Sequence, residues 1–498
     1  MKPRLARFFL SVSRRLISLL VLFVLVSTPT LGDPSPGRAE LQQLQDACHF
    51  GITVSHGLTG HDLTTLGVDS MLNWGVVRPA ELPADVQHTK VLRVGEQYTD
   101  TLSILPNWLA AYPGHVWIVG NEPDVSWSSQ DNVLPEVYAD RYFHLATRIR
   151  DLDPAAQIGF GPIAQPTPLR MRYMDRVIAK LDINTGSRAG TLALIDIFTP
   201  HVFLVNEQLN EWGANIPQGF ENDHADAFLI DIWTESYLTH DITTFSRFVT
   251  DYRIWMKELG AQDYPLWITE YTSVLPPIDP PNGDVHNTSD EETTAYMLET
   301  FDFIMTAKDP ALGYPADDDR LVQRGYWYSL NEYRYSFGGT LFDPDTKVRT
   351  MVGEAYETYE PPAGSVDLVD PDVYPISTKL IFWRYTPGSN NTRIDYRLQV
   401  RVGNHVVSDL RPLVTVRLRN ASGGPALASA QGYLARCGGD GIITLDWLNV
   451  QPDQLYDLEV VVVVDPGSGV DTDFTNNTLP YPVTPYEPYF LFQPMILR

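Results

Sequence analysis

Cysteine is almost missing from this chain: Cys48 and Cys437 are the only two in 498 residues. Two thiols cannot form a disulfide scaffold, nor a cysteine-rich zinc or iron–sulfur site. They are expected as two separate buried thiols, with a bridge between distant parts of the chain as the alternative. Basic residues are also scarce, 36 Lys and Arg against 62 Asp and Glu, for a formal charge of −26. A surface of that sign repels nucleic acid and anionic lipid, since both need a cationic footprint. Neutral small molecules, neutral polymers and cations remain as partners. No Gly-rich phosphate loop follows the first strand-like run, and no Gly-x-Ser-x-Gly elbow occurs anywhere.

Long apolar runs are rare too. The one that stands out, Leu16 to Val26, is broken only by Ser18 and follows the basic stretch Lys2 to Arg15. Ser27-Thr-Pro-Thr-Leu-Gly32 then supplies small and turn-forming residues. This is the layout of a secretory signal over 1–32, too short an apolar run for the ~20 residues that span a bilayer. An uncleaved signal anchor is the alternative. Either way the remainder is expected to be exported, with a charge of −31 once those five basic residues are gone.

From about 48 to 358, short apolar runs alternate with amphipathic ones. The strand-like runs are Phe50–Val54, Trp74–Arg78, Val91–Gly95, Val116–Gly120, Gln157–Gly161, Ile195–Leu204, Pro265–Tyr271 and Gly325–Leu330. Most are apolar on both faces, as buried parallel strands should be. Helical spacing appears between them, in Leu134, Tyr138, Tyr142, Leu145 and Ile149, and again in Phe245, Val249, Tyr252, Met256 and Leu259. Eight such units predict an α/β fold, a (β/α)8 TIM barrel over 33–358. A Pro- and acid-rich linker over 359–375 follows. The β-rich runs Ile394–Val402, Leu413–Leu418, Gly441–Trp447 and Leu458–Val464 then predict an all-β antiparallel sandwich over 376–498.

Two strand ends carry carboxylates. One apolar run finishes in Asn121-Glu122-Pro123 and another, Leu266-Trp-Ile-Thr, in Glu270. A carboxylate closing an apolar strand is costly unless it is paired or used. In a barrel, the C-terminal strand ends are where catalytic groups gather. Counted from Phe50, Glu122 closes the fourth strand and Glu270 the seventh, so the two can converge across the barrel mouth. Hydrolysis of a glycosidic bond with retention needs such a pair ~5–5.5 Å apart. One carboxyl protonates the leaving oxygen and the other attacks the anomeric carbon. One of the two must then keep a proton at working pH while the other stays ionised.

In this order of motifs, residues 48–358 resemble clan A of the retaining glycoside hydrolases. The resemblance implies that Glu122 is the acid/base, Glu270 the nucleophile, and Asn121 a donor to the sugar 2-hydroxyl. It also implies that Arg78 ends strand two and holds Glu270 ionised, that His201 lies near the end of strand six, and that Trp327 on strand eight floors the sugar site. Tyr271, Tyr328, Trp127 and Trp212, near strand ends or in loops, are candidates to stack on sugar faces. No metal or cofactor is expected. The implied partner is a β-linked, uncharged polysaccharide or oligosaccharide, because a uronic-acid polymer would meet the same repulsion as DNA. A secreted or cell-surface monomer is the expected form. The segment from Val464-Asp-Pro to Thr478 resembles bacterial cell-adhesion-type immunoglobulin-like modules.

Weaker signals are read as structural. His56 and His61 have poor ligand spacing, and Asp317-Asp-Asp319 and Asp465 to Asp473 are expected to be solvated acidic loops rather than calcium sites. Two other functions stay open: a barrel that binds glycans without cutting them, and a structural or adhesion protein of the cell surface. The latter requires the carboxyls of Glu122 and Glu270 to lie well beyond ~6 Å from each other.

Overall fold

The structure, a computed structural model, describes residues 49–485 except 64–65, 69, 84–85, 128, 210–211, 276–288, 334–337, 363–364, 366–371, 387–392, 405–411, 435–440 and 472. The expected signal over 1–32, both cysteines and part of the expected linker lie outside the described residues.

Eight parallel strands form the first unit. They are β1 (Phe50–Thr53), β2 (Ser70–Leu72), β3 (Gln87–Leu92), β4 (Val116–Val119), β5 (Gln157–Phe160), β6 (Ile197–Phe198), β7 (Trp267–Tyr271) and β8 (Arg324–Trp327). Their spatial order is β6-β5-β4-β3-β2-β1-β8-β7. Phe198 bridges Leu266 in parallel and its N–H donates to the Pro265 carbonyl at 3.0 Å, which closes the sheet into a barrel. Leu72, Val91, Ile118 and Tyr326, one from each of four strands, pack into a cluster of their own inside the barrel. The larger core lies between strands and helices.

Helices follow β3 to β8: α1 (Tyr98–Ala111), α2 (Pro135–Leu152), α3 (Pro168–Thr185), α4 (Arg188–Leu192), α5 (Ile232–Leu238), α6 (Ile242–Glu258), α7 (Asp290–Thr306) and α8 (Met351–Glu357). The expected helical stripes are buried as their spacing requires, Tyr138, Tyr142, Leu145 and Ile149 on α2 and Phe245, Val249, Tyr252 and Met256 on α6. Asp241 caps α6 by accepting from the Thr243 and Thr244 N–H groups. Between β1 and β2, and between β2 and β3, the described residues form turns and no helix. Eight full strand–helix units is therefore an overcount. Gly57, Gly60 and Gly67 take positive φ in the first of these segments, a conformation that breaks a helix. None of the described helices is long and apolar enough to cross a membrane.

Two strands differ from their expected spans in ways that matter for the site. The true β2 precedes Trp74–Arg78, which is loop, with Trp74 at φ +56°. The run 195–204 is strand only at Ile197–Phe198, because Pro200 has no N–H to give a ladder. Beyond it the chain still follows the barrel wall, with the His201 N–H on the Ile163 carbonyl and the Val202 N–H on the Glu270 carbonyl.

The second unit is an antiparallel sandwich. One sheet holds β9 (Val373–Thr386), β10 (Arg393–Asn404) and β13 (Gly441–Val450), and the other holds β11 (Leu413–Asn420), β12 (Ala428–Tyr433), β14 (Tyr456–Val464) and β15 (Thr478–Val483). Alternate residues of β10 and β14, such as Leu398, Val400, Val460 and Val462, face one core. That core shares no residue with the barrel's. Leu445→Ala, at a fully buried position of β13, should cost about 2–5 kcal/mol. In calorimetry it should lower one unfolding transition and leave the barrel's in place. A uniform shift of all melting would contradict two independent cores.

Candidate active site

Glu122 sits where β4 runs out. Gly120 turns at φ +99°, where a Cβ would come within 3.0 Å of the Tyr138 ring. Tyr138 donates its hydroxyl to the Val119 carbonyl (2.8 Å) and accepts the Gly161 N–H (3.1 Å), tying the ends of β4 and β5. Asp131 ties β4 to the end of β3: it accepts the Asn121 N–H (2.7 Å), the Val94 N–H (3.1 Å) and the Arg93 Nε (2.7 Å). Glu122 itself takes φ +43°, and its N–H donates to the Pro162 carbonyl at 2.9 Å. A non-glycine residue in that region stores backbone strain of about 1–3 kcal/mol, held by these surrounding bonds.

Glu270 arrives from β7. The pairing of β7 with β8 shifts register between Ile268 and Tyr271, an irregularity of the bulge kind that re-aims side chains beside active sites. Tyr271 therefore packs outward against Phe245 and Trp327, while Glu270 lines the cleft. Between the two glutamates stands His201. Its Nδ1 is 3.0 Å from Glu122 Oε1 and its Nε2 is 3.4 Å from Glu270 Oε1. The Trp74 indole N–H donates to Glu270 Oε1 at 2.5 Å. One carboxylate oxygen of each glutamate and a nitrogen of His201 all lie within 4.8 Å of one another.

These three groups are buried. Burial pushes the Glu270 carboxyl up to about 7; the His201 charge opposes the rise, the Glu122 charge adds to it, and the Trp74 N–H opposes it. Burial lowers the affinity of His201 for a proton, but the Glu270 charge and the hydrogen bond to Glu122 outweigh it and raise its pKa. An imidazole and two carboxylates are also a donor set that could hold a divalent cation. Here both imidazole nitrogens face carboxylate oxygens.

Beneath the site lies a fully buried charge junction. Arg170 on α3 pairs through one terminal nitrogen with Asp124, just past Glu122, and through Nε with Glu207 at 2.8 Å. Its other terminal nitrogen donates to the carbonyls of Ala214 and Asn215, both at 2.7 Å. Glu207 also accepts from Thr167, Gln165 (3.2 Å) and the Phe228 N–H (2.7 Å). The loops after β4, β5 and β6 are thus fastened to a single guanidinium.

The cleft above has about 1090 Å³ of empty space, part of it open to solvent. Of the residues expected from sequence, Glu122, Glu270, Asn121, Trp127 and Trp212 line it. Asn121 donates to Gln130 Oε1 at 2.6 Å, and Trp212 is 37% exposed at the rim. His201 lies behind the two carboxylates. Three expectations need correction. Arg78 does not reach Glu270; it donates to the backbone carbonyls of Leu82, Pro83 and Val86, bracing the segment between β2 and β3. Trp327 is fully buried with its N–H on the Gly339 carbonyl (2.7 Å), and Tyr271 is fully buried beside it. Neither forms a sugar platform. Strand alternation explains Trp327: Tyr326 points into the barrel, so Trp327 points out and Tyr328 lines the cleft.

Tyr328, among the aromatics expected near strand ends, also lines the cleft. Trp74, Arg93, Gln130 and Phe203 line it as well and are not among the expected site residues. Trp74 has a readable signal as an aromatic at a strand end, masked where it reads as the first residue of a strand. Arg93 and Phe203 carry no local mark. His56 is 3.0 Å from Glu332, which also accepts the Tyr328 hydroxyl at 2.8 Å. Asp317 and Asp318 pair with Arg320 and Lys308, as acidic loop residues with protein partners.

No protein-family model matches the chain, and no curated protein matches it. Solved structures similar to it include a glucosidase from Croceicoccus marinus, at 10% identity and TM-score 0.39, covering 80% of this chain and 93% of that one. A GH128 (subgroup VII) oligosaccharide-binding protein from Trichoderma gamsii is 13% identical with TM-score 0.38, covering 62% and 92%. A Paenibacillus polymyxa xyloglucanase of glycoside hydrolase family 44 is 12% identical with TM-score 0.31, covering 78% and 82%.

Two measurements check this geometry. Arg170→Met removes the cation shared by two buried carboxylates and should cost about 3–5 kcal/mol in denaturant unfolding; a loss within 1 kcal/mol would show that the junction is not the anchor. The second concerns pH. The Glu270 carboxyl binds its proton more tightly folded than unfolded, so the stability it contributes is present below about 4.5 and lost as pH rises to about 7. Glu270→Gln removes that buried charge. Its melting temperature relative to wild type should therefore rise between pH 5 and pH 8, and an unchanged difference would contradict the buried-charge account.

Proposed function

We propose that the chain is an exported glycoside hydrolase that cleaves a β-linked, uncharged glycan or glycoside with retention of configuration. The observation that carries this reading is the approach of the two carboxylates within 4.8 Å in one cleft. Retaining enzymes hold the pair ~5–5.5 Å apart, whereas inverting ones leave ~6.5–9.5 Å for a water. The same proximity disfavours a purely structural role, which would not concentrate two like charges in a buried pocket.

In this reading Glu270 attacks the anomeric carbon. The Trp74 N–H is a donor with no accepting capacity, so it favours Glu270 as a carboxylate and fixes the attacking oxygen's direction. Glu122, which has no such indole, delivers its proton to the leaving oxygen and then takes one from the water that frees the sugar. His201 holds the two at a set separation and spreads the charge that shifts between them. Asn121, anchored through its backbone to Asp131 and through its amide to Gln130, is placed beside Glu122 to meet a sugar hydroxyl.

A panel of aryl β-glycosides and β-glucans tests the assignment. Glu122→Gln should lower kcat/KM by about 10²–10⁴-fold, and Glu270→Gln by at least as much, with the first product of the wild type keeping its anomeric configuration by NMR. Activity surviving in both variants would refute the pair. Binding without hydrolysis by the wild type would favour a glycan-binding barrel. The pH profile offers a separate check: Glu270 must be ionised to attack and burial pushes its carboxyl up to about 7, so kcat/KM should rise on the acid side with a midpoint near 7 and be insensitive to a chelator. An acid limb with its midpoint in the ordinary carboxylate range would remove the raised Glu270 carboxyl from the mechanism.

A further inference from the structure

The two sides of the cleft differ in chemistry. The side formed after β2, β3 and β4 carries the polar-tipped residues Trp74, Arg93, Asn121, Ser129 and Gln130. The other side is formed by Val125, Ala164, Phe203, Val205, Ala214 and Val274. Five of these six pack as one apolar cluster separate from the barrel core, with Val274, Trp127 and Tyr328 against it.

This wall has almost no capacity for hydrogen bonds. Many of its backbone groups are already engaged within the protein. The Ala164 N–H meets Asp124 (3.3 Å), and the Phe203 N–H meets the Ala164 carbonyl (3.2 Å). Gln165 takes both the N–H and the carbonyl of Val205, at 3.0 and 2.8 Å. The Ala214 N–H goes to the Asn206 carbonyl (2.8 Å) and its carbonyl to Arg170 (2.7 Å). A pyranose pressed against such a surface would leave hydroxyls without partners, at about 1–3 kcal/mol each. Stacking does not rescue it. Five of the six residues are aliphatic, and the Phe203 ring stands edge-on to His201 and Tyr328, at 90° and 86°.

The wall is also preformed. Gly213 packs so tightly that a Cβ would fall 2.0 Å from the Asn206 carbonyl oxygen, and Arg170 pins the following carbonyls. Val125 follows Glu122 on the same loop, so the apolar side adjoins the group that protonates the leaving oxygen. Trp74, bonded to Glu270, marks the opposite, sugar-binding side.

Resting on the glycosidase reading, we propose that the apolar wall is a subsite for an alkyl or aryl group carried on the leaving oxygen, and that the substrates are glycosides with a hydrophobic aglycone. A chain of sugars would fill only the polar half of the cleft.

The test is an equilibrium titration of the full-length chain, read by tryptophan fluorescence, with methyl, butyl, hexyl and octyl β-D-glucosides below their micelle concentrations. The corresponding galactosides and xylosides are run in parallel, and Glu122→Gln is titrated beside the wild type. Each methylene that enters the subsite should tighten binding about fourfold, and the octyl compound of at least one sugar should bind more than tenfold tighter than its methyl counterpart. The double variant Val205→Thr, Val274→Thr, whose melting temperature reports its folding, should flatten the series. Equal binding along all three series, or a gain unchanged in the folded double variant, would overturn the proposal. Hydrolysis of aryl glycosides with flat series would sink the subsite alone. A steep series without any hydrolysis would sink the glycosidase reading and leave the apolar subsite standing.

Discussion

A single guanidinium, enclosed without solvent between Asp124 and Glu207, sets the position of much of the barrel mouth. A buried cation is tolerable only if every donor finds an acceptor, and Arg170 meets that demand with two carboxylates and backbone carbonyls of the β6 loop and of Asp124. That requirement joins two loops, because Asp124 lies after β4 while Glu207, Ala214 and Asn215 lie after β6. The position of Asp124 behind Glu122 and the course of the β6 loop follow from the same junction. Removing the guanidinium would leave both carboxylates buried without it.

Above that anchor, the site concentrates opposed tendencies in a small volume. Burial and the Glu122 charge both raise the Glu270 carboxyl, while the His201 charge and the Trp74 N–H oppose the rise. His201 and Trp74 direct their ring nitrogens at defined oxygens. In the proposed reading, an acid and a nucleophile drawn from chemically identical side chains are told apart by their neighbours. The distinguishing neighbour is an indole from a loop that belongs to neither carboxylate's strand.

Much of the frame was legible from residue order. The apolar runs ending in Asn121-Glu122 and in Glu270 identified the fourth and seventh strand ends, because a carboxylate closing a buried strand has few structural explanations. The alternation of Leu458, Val460, Val462 and Val464 marked the sandwich. Illegible features depended on register or on distance in space. Trp327 and Tyr328 are adjacent, and only the facing of β8 decides which reaches the cleft. The β7 irregularity breaks the two-residue period at Glu270. Arg78 looked like a strand end because true β2 is only three residues long. In the sandwich, β9, β12 and β15 escaped notice because all three are sheet edges, and edge strands tolerate proline and polar residues that blur the pattern.

The helix-free stretch between β1 and β3 has a bearing on how the mouth responds to an occupant. Elsewhere an amphipathic helix clamps each strand from outside. Behind β3 the covering is irregular chain that sends Val76, Leu82 and Val86 into the barrel core, beside Lys90 with its ammonium on the Val76 carbonyl (3.0 Å) and over the Tyr112 ring (3.7 Å), and the carbonyls gathered by Arg78. Trp74 hangs from that side, while Glu122 is rooted in the helix-backed, Arg170-anchored side. The rim is therefore built in two ways: the indole that meets Glu270 is carried by helix-free chain, and Glu122 by a loop locked to a buried charge junction.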